Sequence, residues 1–322
     1  MPQYGAIVRP DGALEEGFGP AELARLLAEP GTKAWLDLEG ASDEQLRALE
    51  GIFGFHPLAV EDAQNPETRP TVEEYDTFLF LVTRGINDNP GQEALDLITL
   101  FVFLSDRLIV TVHEHAMRSV AAAIDRLRKH PEVLGEGPDR LLHHLLDQVV
   151  DHYFPIVEEL EERIEALESV IFTRPDQPVL ERIFGARKDL VQLRRSLGPL
   201  REVLGNLMSG VPHVRTDLRP FFRDVYDHVL RILDEVETNR DTLSSLLESH
   251  LSHVNNRLSE VMKTLTALAA IGLPMTIVTG FFGMNFENLL WIKQPWGVTG
   301  AVLLMVGMSG GLLLFFRRRG WL

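Results

Sequence analysis

Hydrophobic and polar positions change their spacing three times along the chain. Over residues 1–130, strand-like runs at Lys33-Ala34-Trp35-Leu36-Asp37-Leu38, residues 78–82, 97–104 and 108–112 are interleaved with helical periods at 20–27, 42–52 and 117–128. Strands alternating with helices in this way predict a compact α/β domain. From about residue 139 the strand signals cease. Two long amphipathic helices are predicted over 139–172 and 177–208, paired antiparallel across Arg174-Pro175-Asp176, the second kinked at Pro199. A third helix is predicted to begin near Pro220, with no stop signal before Gly280, which makes it ~60 residues or ~90 Å long. Along it Leu243, Leu247, Leu251, Val254, Leu258 and Val261 recur at intervals of four and three. That spacing is a coiled-coil seam, and it requires partner helices.

The seam leads directly into residues 265–284, an apolar run without a charged side chain, and a second such run covers 296–316. A helix of about 20 residues crosses the hydrocarbon core of a bilayer, so the two runs predict a membrane hairpin. Pro274 lies inside the first span, where neighbouring helices can satisfy the carbonyl it leaves free. Lys263 precedes the first span and Arg317-Arg318-Arg319 follow the second, while the connecting loop holds one acid and one base. The positive-inside rule then places both termini in the cytoplasm. Trp291, Trp296 and Trp321 flank the spans as interfacial aromatics. The expected divisions are an α/β domain over 1–130, a helical pair over 131–216, a stalk helix over 217–263 and a two-span pore domain over 264–322.

Charge sharpens this picture. Only Glu287, Lys293 and the three terminal arginines lie beyond Lys263, which leaves 27 basic and 46 acidic groups in the first 263 residues, a net charge of −19. Such a field repels nucleic acid and gathers cations. With no cysteine in the chain, disulfides and thiolate metal sites are excluded. The N-terminus Met1-Pro2-Gln3-Tyr4-Gly5 shows no signal-peptide pattern, and no prosthetic group is expected. Neither a Gly-rich phosphate loop, a nucleophile elbow nor a His-Glu-x-x-His motif occurs, which argues against an enzyme tethered by the hairpin.

Beside the seam runs a second stripe: Glu248, Ser252, Asn255, Ser259, Met262, Leu265, Ala269, Leu273, Thr276, Gly280 and Gly283. It changes from polar to small and apolar as it enters the span. Several copies of this helix around one axis would form a water-filled funnel with hydrophobic constrictions at Met262, Leu265 and Leu273. A second reading of the same stripe is ordinary packing with solvent-facing polar positions. Two further groups are weighed as metal ligands: His143, His144, Asp147, Asp151 and His152 share a helix, with His144, Asp147 and Asp151 nearest to one line, and His113 and His115 follow a strand. Both patterns are as well explained by surface composition.

Where the first span ends, the chain reads Gly283-Met284-Asn285-Phe286-Glu287. Together with the long helix, the second span, the basic terminus, Phe222-Arg223-Asp224-Val225-Tyr226-Asp227-His228, His56-Pro57-Leu58-Ala59-Val60-Glu61-Asp62 and Pro199-Leu200-Arg201-Glu202-Val203, this tail resembles the CorA family of divalent-cation channels, which includes the ZntB type. The resemblance implies an α+β membrane protein of the plasma (inner) membrane: a homopentameric funnel with a cytoplasmic α/β domain, a long helical stalk and two C-terminal transmembrane helices. It further implies a selectivity filter at Gly283, Met284, Asn285 and Glu287, and regulatory Mg²⁺ bound at Asp224 with an acid near Asp88. A ring of neutral amide oxygens suits Mg²⁺, which gives up its water shell reluctantly and is held through those waters. The loop departs from the family in following Glu287 with Leu289-Leu290-Trp291-Ile292-Lys293 instead of further acids. The expected activity is Mg²⁺ influx, with Co²⁺ and Ni²⁺ also carried. The rivals are a proton-coupled Zn²⁺ transporter of the ZntB type and a membrane-bound sensor without a pore.

Overall fold

A computed structural model describes residues 3–87, 95–173, 179–284 and 296–321. Its elements, in order, are β1 (Gln3–Val8), β2 (Leu14–Glu16), α1 (Pro20–Leu26), β3 (Lys33–Glu39), α2 (Asp43–Phe53), α3 (Pro57–Ala63), β4 (Thr71–Glu74), β5 (Leu79–Asn87), β6 (Asp96–Leu104), β7 (Leu108–His113), α4 (Arg118–Lys129), α5 (Glu132–Glu136), α6 (Pro138–Asp151), α7 (Tyr153–Thr173), α8 (Val179–Ser209), α9 (Arg219–Phe282) and α10 (Gly297–Arg318). Backbone packing divides the chain into Met1–Ser245 and Leu246–Leu322.

In the first unit, seven strands form one mixed sheet in the order β2-β1-β3-β7-β6-β5-β4. Every neighbouring pair is antiparallel except β3 and β7, which run parallel with Ala34 opposite Leu108 and Glu39 opposite His113. The parallel pair needs a crossover, and the chain between these strands supplies α2, α3 and the β4–β6 meander. β7 is buried at all six positions, as expected of a strand covered on both faces. Ala34, Leu36, Leu38, Val110 and Val112 pack with Leu46 and Leu49 of α2 and Ala59 and Val60 of α3. α5 and α6 pack on the sheet, and α4 packs on α6. α2 starts on a complete capping box, Ser42 accepting from the Gln45 backbone and Gln45 from the Ser42 backbone, and stops at Gly54 with φ 74°.

The sequence reading finds β3, β5, β6, β7, α1, α2 and α4 but not β1, β2 and β4. It also requires correction at 139–172, which is two helices, not one. α6 ends at Asp151 and α7 begins at Tyr153 because Pro155 has no N–H to give the Asp151 carbonyl, and the His152 ring instead donates back to the Gln148 carbonyl. α8, by contrast, continues through Pro199.

A buried polar cluster joins β3 and β7. His113 Nδ1 must donate to the His115 carbonyl at 2.7 Å, and Nε2 lies 3.1 and 3.3 Å from the two Asp37 oxygens. Thr111 donates to the same carboxylate and receives the Trp35 indole N–H at 3.0 Å. Burial opposes the imidazolium charge, but the Asp37 hydrogen bond and charge, the His115 carbonyl and Glu39 together raise the His113 pKa above its ordinary value. A group raised on folding stabilises fully below its unfolded pKa, about 6.5, and loses that contribution as pH climbs through the folded value. The melting temperature of the N-terminal unit should therefore fall as pH rises above about 6.5, and His113→Gln should flatten that slope. An unchanged slope in the variant would assign the pH dependence to other groups.

Candidate functional site

The second unit contains the end of α9 and all of α10, and both are long and apolar enough to cross a membrane. Within it, Ala267, Pro274 and Val278 of α9 are buried, as are Ala301 and Ser309 of α10. Successive residues turn by about 100° around a helix, so Ala267, Pro274 and Val278 form one face. Ile271 lies on it, and its carbonyl accepts a 2.9 Å hydrogen bond from Ser309 Oγ. Pro274 withholds the donor that would reach Ala270, and the serine bond is made one carbonyl further along. We expect Ser309→Ala to lower the thermal stability of the reconstituted protein by about 1 kcal/mol and Ser309→Thr to retain it, as interhelical hydrogen bonds in lipid behave.

The stripe singled out from sequence stands on the other side of α9. Met262, Leu265 and Leu273 are 54%, 60% and 58% exposed, and Glu248, Asn255, Ser259, Ala269, Thr276 and Gly280 are exposed as well. By the same 100° turn, Leu265, Ala269, Leu273, Thr276 and Gly280 centre roughly opposite Ala267 and Val278. The Thr276 hydroxyl donates to the Gly272 carbonyl at 3.3 Å, so within this unit the polar group adds no contact to α10. Seam residues Leu251, Val254, Leu258 and Val261 are also 49–60% exposed.

At the end of α9, Gly283 N–H closes onto the Thr279 carbonyl at 2.9 Å and Met284 N–H onto Phe281 at 3.3 Å. A Cβ on Gly283 would sit 2.9 Å from that Thr279 oxygen. A side chain at Gly283 would therefore need a small shift of the helix's last turn. Asn285, Glu287 and Asp88 lie outside the described residues.

A separate acidic group forms in the first unit, where α6 faces the beginning of α9. Asp147, Asp151 and His228 each offer a ligand atom, all within 4.8 Å of one another. The alignment of His144 with these aspartates expected from sequence is replaced by one with His228. His228 Nδ1 is buried with no hydrogen-bond partner among the described residues, and its ring packs edge-on to Phe154 at 5.7 Å. Burial, then the charge of Asp151 and, more weakly, that of Asp224, raise the Asp147 pKa, while His228 opposes the shift. Exposed Asp224 is one turn before His228 on α9 and acts electrostatically on Asp147 and His143. Burial and then Arg140 push His143 down to about 4; burial, His143, Arg126 and Arg140 do the same to His144, also to about 4. Both are neutral at physiological pH. Sequence reasoning did not single out His228 as a candidate ligand, although its spacing of four from Asp224 places the two on one helix face.

Comparison with known proteins decides the family. Residues 31–318 match the family described as CorA-like Mg2+ transporter protein. The chain belongs to this CorA-like family. The putative metal ion transporter YfjQ of Bacillus subtilis is 33% identical over 292 residues, covering 89% of each chain. The cobalt/magnesium transport protein CorA of Thermotoga maritima is 32% identical over 294 residues, covering 90% of this chain and 84% of that one. The complete structure of the CorA magnesium transporter from Methanocaldococcus jannaschii superposes with a TM-score of 0.83 at 26% identity, over 99% of this chain and 98% of that one. As a CorA-like protein the chain is a divalent-metal transporter and not an enzyme, with an N-terminal α/β domain, a long helix and two C-terminal membrane helices.

Proposed function

We propose that the protein forms a homopentameric channel in the plasma (inner) membrane, both termini in the cytoplasm, and passes Mg²⁺ inward, with Co²⁺ and Ni²⁺ as further cargo. The observation that carries this reading is the exposure of the Met262–Leu265–Leu273–Gly280 face of α9 on the side away from the Ser309 bridge. Five such faces around an axis would line a pore, closed by rings of Met262, Leu265 and Leu273 that exclude water. The stalk and the pore would then divide near residue 263. Gly283, Met284, Asn285 and Glu287 would form the filter at the outer mouth, where amide oxygens hold a hydrated divalent ion and Glu287 attracts it.

Regulation would reside at the other end of the same helix. Asp224 and the Asp147–Asp151–His228 group would bind cytoplasmic Mg²⁺ and hold the pore closed, with an acid near Asp88 from a neighbouring copy completing the contact. Loss of the ion leaves several like charges close together, and their repulsion favours the open state.

Divalent flux into proteoliposomes tests the proposal. Mg²⁺ influx driven by membrane potential alone is the expected result. Zn²⁺ influx that requires an inward proton gradient would instead assign the protein to the ZntB type, and a pentamer that passes neither ion would be a non-conducting sensor.

A further inference from the structure

The α7–α8 hairpin carries opposite charge on its two outer sides. Its helices pack together around a buried apolar row that includes Leu160, Ile164 and Leu167 of α7 and Ile183, Leu190 and Leu193 of α8. Arg163 Nη1 donates to Asp189 at 3.1 Å, so these two residues stand at one height and mark the sides turned toward each other. Successive residues turn by about 100°. Counting round from Arg163, the exposed Glu158, Glu161, Glu165 and Glu168 lie within about 40° of the opposite direction. Counting from Asp189, so do the exposed Leu180, Phe184, Arg187, Val191 and Arg194, with Lys188 and Arg195 on one flank. Glu181, the one exposed acid of α8 before Pro199, stands about a quarter-turn from the centre of this face. Burial and then the charge of Glu161, with Glu158 adding to it and Arg231 opposing, raise the Glu235 pKa on α9, so the acidic side continues onto that helix.

Among the described residues, none of the four glutamates enters an ion pair, nor do Arg187, Lys188 or Arg195; Arg194 is taken by Glu237 of α9. Leu180, Phe184 and Val191 are large apolar side chains left in water. The two sides of the hairpin thus complement each other and not themselves. A two-fold contact would set acids on acids or bases on bases, whereas a head-to-tail contact sets acids on bases and can close into a ring. We propose that the α8 face of one copy docks on the α7 face of the next copy around the ring, an inference that rests on the homo-oligomer of the proposed function. Leu180, Phe184 and Val191 supply the driving force by leaving water, since exposed ion pairs contribute little, and the charges set the orientation. In a ring whose axis runs along these helices every residue keeps its height. The Arg163–Asp189 level then aligns Glu165 with Arg187, and Glu158 with Arg195, of neighbouring copies.

The test uses the cysteine-free chain, full length in lipid nanodiscs, carrying Glu165→Cys and Arg187→Cys and treated with a short bis-maleimide. Within one chain the two cysteines point apart across the hairpin, roughly 15 Å or more from each other and beyond the reagent's reach. We expect a ladder of covalent species ending at five chains, and no product from either single variant. At low salt, adding Lys188→Glu and Arg195→Glu should cut the linked fraction at least roughly tenfold, and Glu158→Lys with Glu162→Lys should restore it. All six positions are exposed, and an unchanged circular dichroism spectrum verifies that each variant folds. The mass of the unlinked particle separates the two readings. A pentamer without a ladder, or with a ladder that charge reversal leaves unchanged, overturns the docking alone. Dimers from a single variant overturn its head-to-tail sense, and a monomer overturns both the docking and the pentamer.

Discussion

Asn285→Ala abolishes divalent influx while the oligomer stays intact. The expectation follows from what Mg²⁺ demands: the ion keeps its waters, so a filter has to hold it through hydrogen bonds to those waters and not by stripping them. In Gly283-Met284-Asn285-Phe286-Glu287 the neutral side-chain donor and acceptor is Asn285. Gly283 contributes backbone alone, and its N–H is already taken by the Thr279 carbonyl. In the proposed pentamer one substitution removes five amides at once. At about 1 kcal/mol for each lost hydrogen bond, the transit state of the ion loses enough to cut flux by at least roughly a hundredfold. The oligomer should survive, because the exposed seam of Leu251, Val254, Leu258 and Val261 is untouched. Flux assays and crosslinking of one preparation check both halves. Wild-type flux would remove the tripeptide from the filter.

Fold legibility follows the strength of the periodic signal. β3 and β5–β7 are dominated by apolar and β-branched residues, broken only at positions such as Asp37, Thr83, Thr99 and Thr111, and such runs stand out in any window. β1 is hard to see because Gln3-Tyr4-Gly5-Ala6 mixes polar, small and glycine positions; its burial comes from pairing on both sides with β2 and β3, which no local pattern records. β4 is short and half exposed, and β2 has three residues. The break between α6 and α7 is visible only as Pro155, inside an amphipathic pattern that continues past it. The membrane stripe is legible because a helix converts spacing directly into a face. The Asp147–Asp151–His228 group is not, since α6 and the start of α9 lie some 75 residues apart in sequence and meet only through tertiary packing.

That group leads to the second large effect. Asp224→Lys should weaken closure by internal Mg²⁺, shifting half-inhibition upward by roughly tenfold, the effect of replacing an attractive charge by a repulsive one beside the ion. The argument rests on position. Asp224 precedes His228 by one helical turn, and its charge already registers on Asp147, whose pKa is raised first by burial and then by the Asp151 and Asp224 carboxylates. Beyond burial, the shift records the nearby negative charge of Asp151 and Asp224. A bound divalent cation supplies the compensation, and the ammonium introduced by Asp224→Lys would supply part of it permanently without bridging anything. Asp147→Asn should shift the same curve in the same direction by less, since it removes one ligand and one repulsion together. Acidification of the cytoplasmic face should also weaken inhibition, because protons compete for Asp147 with a site whose affinity for them is enhanced. Influx measured against internal Mg²⁺ at two pH values resolves all three. An inhibition curve unmoved by Asp224→Lys would detach the start of α9 from gating and leave the acidic group a solvated surface feature.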